Sequence, residues 1–194
     1  MVNDYNIECS KLKKEQRAAV LSSVRRMSPE DRGRCSSAVC AILMEMPQLQ
    51  KAETIFSYCP FGPETDVREF NRWAAEQGKR VAYPVTGRHG LMEAWVPADE
   101  DAWVEGRYGI PAPDTARSVR IAPEEIDAVI VPCAGFDTEK RRLGKGGGYY
   151  DRYLTKCVNA VFIAAAFETQ KLDCVPCDGW DLPMDAVVTE AGIY

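Results

Sequence analysis

AVIVPCAGFDTEKRRLGKGGGYYDRYL, residues 128–154, is the stretch from which the fold is read. It opens as a continuous apolar run, as in a strand buried on both faces. It then crosses a loop with two arginines, two lysines and four glycines within five positions, and continues as a helical segment over about 149–157. A strand leading through a glycine loop into a helix is the unit from which α/β sheets are built, and such sheets place ligands at that turn. Working outward, TIFSYCP (54–60), RVAYPV (80–85), LMEAWV (91–96), VFIAAAF (161–167) and DAVVTE (185–190) also read as short strands. Helices are predicted at about 66–77 and, before the first strand, at about 10–26 and 28–46. Leu12, Ala19, Val20 and Val24 fall at helical spacing in the first of these, and Ser28-Pro29-Glu30-Asp31 opens the second as an N-cap, a first-turn proline and two acids. Residues 97–125, rich in Pro, Asp and Glu, read as a long surface connection. Strands alternating with helices predict one domain over 1–194, a three-layer α/β/α Rossmann-like fold with a largely parallel or mixed sheet.

Composition sets the outer limits. With 46% apolar and 27% charged residues the chain reads as a soluble globular protein. A net charge of -5 argues against general nucleic-acid binding, although residues 11–34 carry eight Lys/Arg against three Asp/Glu. No apolar run reaches the ~20 residues of a membrane span. The N-terminal MVNDYNIECSKLKKEQR has no apolar core and does not read as a secretory signal, so the cytoplasm is the expected compartment. Eight cysteines are scattered at 9, 35, 40, 59, 133, 157, 174 and 177. Cys174-Val175-Pro176-Cys177 is the one CxxC, and no second CxxC completes a zinc site. Reduced cysteines are the expectation.

The glycine loop carries the chemistry. Glycine lacks Cβ, so successive N–H groups can turn inward around an anion. Arg141, Arg142 and Lys145 add charge, and the following helix would point its positive end at the same place. Together these features indicate a polyphosphate. The pattern GxxxxGK[ST] is absent, because Gly146 follows Lys145, and GxGxxG fails at Tyr149. The plain alternative is a glycine turn without chemistry. Of Tyr149 and Tyr150, one is expected in the core and the other against a flat ligand. Asp151 is placed either to complement the helix dipole or to hold Mg²⁺ beside bound phosphates.

These residues resemble the signature of the 5-formyltetrahydrofolate cyclo-ligases, also called 5,10-methenyltetrahydrofolate synthetases. RLGKGGGYYDRYL is its specific core, and the likeness extends through Lys13 and Arg17, MSPEDR, YCPFGPETDV, YGIPAPD, AFETQ and MDAVVTE over nearly the whole chain. The resemblance implies roles residue by residue. Lys13 and Arg17, four apart on one helical face, would bind ATP phosphates. Arg142, Leu143, Gly144, Lys145, Gly146, Gly147, Gly148, Tyr149 and Tyr150 would wrap the triphosphate. Cys59 and Glu64 would bind the folate, with Lys145 through Tyr149 also facing it, and Asp151 and Asp185 would hold Mg²⁺. Lys13, Arg142, Lys145 and Tyr149 would be the catalytic set, and His89 receives no general-base role.

Some positions depart from the family pattern. Val67 stands after Asp66 where threonine is common, Cys59 where another side chain is frequent, and Lys145 where tyrosine or arginine is frequent. These bear on affinity and polyglutamate preference more than on reaction type. The implied reaction is ATP-driven closure of 5-formyltetrahydrofolate to 5,10-methenyltetrahydrofolate through an N5-iminium phosphate, by a monomer or weak homodimer without nucleic-acid or membrane partners. Lys13→Ala and Arg142→Ala are each expected to cost more than tenfold in turnover with the fold intact. Two other readings stay open: an ATP-dependent phosphotransferase on another small acceptor, and a non-catalytic ATP or folate sensor.

Overall fold

The computed structural model describes residues 2–194, and the side chains of all of them except residues 2–7 and 89. The elements run in the order α1 (Val2–Arg26), α2 (Pro29–Glu45), α3 (Pro47–Lys51), β1 (Thr54–Phe56), α4 (Arg68–Glu76), β2 (Arg80–Thr86) and β3 (Met92–Pro97). They continue with β4 (Trp103–Glu105), β5 (Pro111–Pro113), β6 (Ser118–Ile121), β7 (Ala128–Pro132), β8 (Gly135–Phe136), β9 (Arg142–Leu143) and α5 (Tyr149–Leu154). The chain closes with β10 (Val161–Ala165), β11 (Ala186–Thr189) and β12 (Gly192–Ile193).

Eight strands form the main sheet in the order β12-β11-β10-β7-β1-β2-β3-β6. From β11 to β2 the pairing is parallel, and both edges are antiparallel. Side chains alternate between its faces, as the two-residue period of a strand requires. Ile55, Val81, Ile130, Ile163 and Val188 pack under α2, α3 and α4 with Val39, Leu43, Leu49 and Phe70. Phe56, Ala82, Val129, Ala164 and Val187 face the other way, toward Tyr153, Leu154 and Met184. Burial of each large apolar side chain contributes about 1.5–3 kcal/mol. The three-layer, mostly parallel α/β architecture is thus as the sequence predicted, with one layer thin.

α2 begins as read: Ser28 Oγ accepts from Asp31 N–H at 3.0 Å with Pro29 in the first turn. Pro47 ends that helical run and at once starts α3. α1 is anchored by Val20 and Val24 against Phe167 and Leu172, beside the segment that follows β10. Lys13, Arg17, Val20 and Val24 make one stripe at helical spacing, so the anchor that fixes α1 also aims its two cations. Leu12, counted with the apolar face, is 44% exposed.

Residues 97–125 are not a bare connection: they form the β4–β5 ribbon and the edge strand β6. Pro111 and Pro113 are tolerated because β5 pairs on one side alone, where a missing N–H costs nothing. α5 spans six residues, so its dipole is much weaker than that of a full helix. No helix of the described residues is long and apolar enough to cross a membrane.

Candidate active site

Beyond the C-terminal ends of β1 and β7, the loop 133–148 separates two adjoining cavities, one shared with loop 57–67 and one with α1. The larger, about 320 Å³, is bounded by Tyr58, Cys59 and Glu64 from loop 57–67 and by Lys145, Gly147 and Tyr149 at the glycine loop. The smaller, about 250 Å³, is bounded by Lys13, Arg17, Gly146, Asp178 and Asp181. Arg142, Gly144, Gly148 and Asp151 line both. The glycine loop is therefore a shared wall between a mainly apolar chamber and a strongly charged one.

The wall depends on the absence of Cβ atoms. Gly146 and Gly148 have φ of 97° and 61°, the left-handed region that side-chain-bearing residues avoid. A Cβ on Gly144 would stand 2.9 Å from Arg142 Nη1. Arg17 fastens the loop from the other side, its Nε donating to the Gly144 carbonyl at 2.7 Å.

Arg142 is 6% exposed and sits in the middle of this arrangement. Its Nη1 donates to the Pro132 carbonyl at 3.2 Å and its Nη2 to Asp151 Oδ1 at 2.7 Å. Its Nε is buried without a protein acceptor. A buried cation with a spare donor suits an anion placed beside it.

Lys13, 8% exposed, donates to Asp178 Oδ2 at 2.7 Å and also to Asp181. Burial alone would depress the ammonium pKa, but the hydrogen bonds it donates to Asp178 and Asp181 outweigh it and the net shift is upward. Asp178 is held below its ordinary carboxyl range, first by the hydrogen bond from Lys13 and then by that from Cys9. Neither aspartate was singled out in the sequence: they lie more than 160 positions from Lys13, in a loop with no recognisable spacing.

On the apolar side Lys145 Nζ lies 2.5 Å from Glu64 Oε1, and Glu64 Oε2 accepts from Phe61 N–H at 2.7 Å. The Glu64 side chain is 7% exposed and that of Lys145 50%. The pair bridges the two loops over the larger cavity. Cys59 lines that cavity with its thiol pushed up to about 12 by burial, so it stays protonated. Tyr149 lines it as well, half-buried beneath Arg152 at 5.8 Å from the ring centre.

Tyr150 packs against the same core cluster as Tyr149 and also lines the larger cavity, so the pair does not divide into one core ring and one ligand-facing ring. Tyr150 stacks on Phe56 at 6.2 Å, and burial raises its phenol far above the ordinary range. Leu143 is 1% exposed and pairs with Gly135 in the β8–β9 ribbon, so it supplies backbone to the site. Arg141 is turned away: its Nε donates to Asp137 Oδ2 at 2.6 Å, and Asp137 also accepts from Val175 N–H. That fully buried aspartate sets the hairpin before the glycine loop and was missed because nothing in the sequence marks it as interior.

Asp185 is not brought to the site. It stands just before β11, at the opening end of the parallel strands, where its carboxylate accepts from Phe162 N–H at 2.7 Å. Asp151 stands in α5, beyond the opposite ends of those strands, so the expected Asp151–Asp185 pair does not form. The carboxylates that line the charged cavity with Asp151 are Asp178 and Asp181. Among the described residues no three His, Cys, Asp or Glu side chains converge as a preformed metal cage. The His89 side chain lies outside the described residues. All eight cysteines are free.

Comparison with known proteins gives a consistent set of likenesses. Residues 9–190 match the family model described as the 5-formyltetrahydrofolate cyclo-ligase family. The Escherichia coli K12 5-formyltetrahydrofolate cyclo-ligase is 27% identical over 176 residues, covering 88% of this chain and 96% of that protein. The mouse protein of the same name is 27% identical over 189 residues, covering 92% and 93%. The NMR structure of Aquifex aeolicus 5,10-methenyltetrahydrofolate synthetase superposes with a TM-score of 0.83 at 31% identity, covering 94% of this chain and 91% of that one.

Proposed function

The chain belongs to the 5-formyltetrahydrofolate cyclo-ligase family, and on that premise we propose that it uses ATP to close 5-formyltetrahydrofolate to 5,10-methenyltetrahydrofolate. The observation that carries the proposal is the shared wall. An apolar chamber suited to a pterin and a charged chamber suited to a triphosphate meet at Arg142, Gly144, Gly148 and Asp151.

The formyl oxygen cannot leave as oxide, which is why a phosphoryl donor is needed. The β–γ bond of ATP breaks as the formyl oxygen takes the γ-phosphorus, giving ADP and an N5-iminium phosphate. The N10 lone pair then attacks the activated carbon and N10 gives up its proton. The carbon–oxygen bond breaks, phosphate departs, and the methenyl bridge remains.

This chemistry asks the protein mainly for placement and charge neutralisation. Lys13, Arg17 and the loop amides of Gly144 to Gly148 would hold the triphosphate, with Arg142 at the transferring group. Glu64, Cys59, Lys145 and Tyr149 would hold the pterin, with the formyl oxygen turned toward the wall. Leu143 would brace the loop from the core, and Tyr150 would line the pterin chamber beside Tyr149. Phosphate would have to take over Lys13 from Asp178 and Asp181, leaving those carboxylates to a cation. Mg²⁺ fits that donor set, since it needs one or two carboxylates and otherwise takes phosphate oxygens and water. Asp178 and Asp181 would hold it, with Asp151 beside them on the same cavity, where it would offset charge on the phosphates.

The enzyme would act in the cytoplasm as a monomer or weak homodimer, which light scattering would check. The test of the reaction is near-ultraviolet absorbance of the methenyl product, with controls lacking ATP. ATP turnover without a methenyl product would favour a phosphotransferase on another acceptor. Binding without turnover would favour a sensor.

A further inference from the structure

Three cations line the larger cavity: Arg107, Arg142 and Lys145. Arg142 is paired with Asp151 and Lys145 with Glu64. Arg107 has no carboxylate within 4.0 Å among the described residues. The acid on its own ribbon, Glu105, is turned to Gly109, where its Oε1 would lie 3.9 Å from an added Cβ. The described polar contact of Arg107 is a 3.2 Å hydrogen bond from Nη1 to the Gly87 carbonyl, which leaves its other donors unengaged among the described residues.

Depth gives the cavity a direction. Arg142 is buried at the wall shared with the phosphate chamber, and Arg107 is exposed at the rim. The turn Arg107–Gly109 is also strained. Tyr108 has φ 63°, a left-handed conformation costing a non-glycine residue about 1–2 kcal/mol. Its ring lies 5.0 Å from the Arg107 guanidinium, an arrangement that favours holding the cation there. This turn leads into YGIPAPD.

We propose that Arg107 is a specificity residue that binds the glutamate carboxylates at the tail of the folate. The proposal rests on the cyclo-ligase reading. The reacting formyl group must lie at the buried wall, so the p-aminobenzoylglutamate tail leaves through the rim. There it meets an arginine without a carboxylate partner, whose planar fork matches a carboxylate in bidentate fashion.

The test is equilibrium binding of two ligands to the full chain: 5-formyltetrahydrofolate and 5-formyltetrahydropteroate, which lacks the glutamate. Wild type is expected to prefer the glutamate-bearing ligand by about tenfold or more. Arg107→Ala should reduce that preference about tenfold, and Arg107→Lys should keep part of it, since charge without the fork still attracts a carboxylate. An unchanged preference in Arg107→Ala overturns the proposal while leaving the cyclo-ligase reading in place. Wild type that binds neither ligand overturns that reading, and the proposal with it.

Discussion

Arg142 Nη2 and Asp151 Oδ1 lie 2.7 Å apart, and both residues face the apolar and the charged chamber at once. The pair stands where a phosphoryl group would have to cross from one ligand to the other.

Removing Arg142 should therefore affect two quantities. Arg142→Ala is expected to lower turnover by more than tenfold, through loss of the charge at the transferring group. Its side chain is 3% exposed and its partner's 22%, so truncation also leaves Asp151 poorly compensated. The expectation that this variant keeps its stability is revised: about 3 kcal/mol should be lost, read as a lower midpoint in urea. Arg142→Lys should recover more stability than turnover, because one ammonium cannot meet Pro132, Asp151 and an anion together.

Lys13 has a distinct pH signature. Its folded pKa is raised above 10.5, so its stabilising contribution is full below that value and is lost as pH rises through the folded pKa. The folded pKa of Asp178 is lowered below 3.8, so its contribution is full above that value and is lost as pH falls through the folded pKa. The stability difference between wild type and Lys13→Met should be flat across neutral pH and shrink at both ends. Urea titrations from acid to alkaline pH would measure it, and a difference that grew below pH 4 would contradict the pairing.

Gly144→Ala should lower turnover about tenfold, because Arg142 is pinned by Pro132 and Asp151 and cannot retreat from a Cβ 2.9 Å away. Gly179→Ala, with nothing within 4 Å of its Cβ, serves as the control and should keep wild-type kinetics.

Thiol labelling separates the cysteines. Cys59, pushed up to about 12, should alkylate at neutral pH at least about tenfold more slowly than exposed Cys174. Peptide mapping after short exposure to iodoacetamide would show it, and Cys59 labelled first would contradict its burial.

What the sequence disclosed follows from what repeats locally. The strand-loop-helix at 128–154 and the alternation of strands and helices are short-range patterns that lead to the sheet and to the glycine wall, whereas Lys13 and Arg17 are reached through the family resemblance. Asp178 and Asp181 reach Lys13 only through the packing of α1 across the chain, so no window of sequence contains the pair. Asp185 is drawn toward the site by the family resemblance alone, yet it lies four positions after Asp181 and the stretch between them carries it to the opposite end of the sheet. Arg107 gave no signal because its surroundings come from the turn after β2 and from a ribbon hidden in a proline-rich segment.

The most direct test of the account is the reaction itself. Purified protein, ATP, Mg²⁺ and 5-formyltetrahydrofolate are mixed, and methenyl absorbance and ADP are followed together. One ADP per methenyl group, with neither formed when ATP is left out, is the predicted result. ATP consumed with no rise in methenyl absorbance, or no consumption of either ligand despite binding, would contradict the claim that the two chambers exchange a phosphoryl group across the glycine wall.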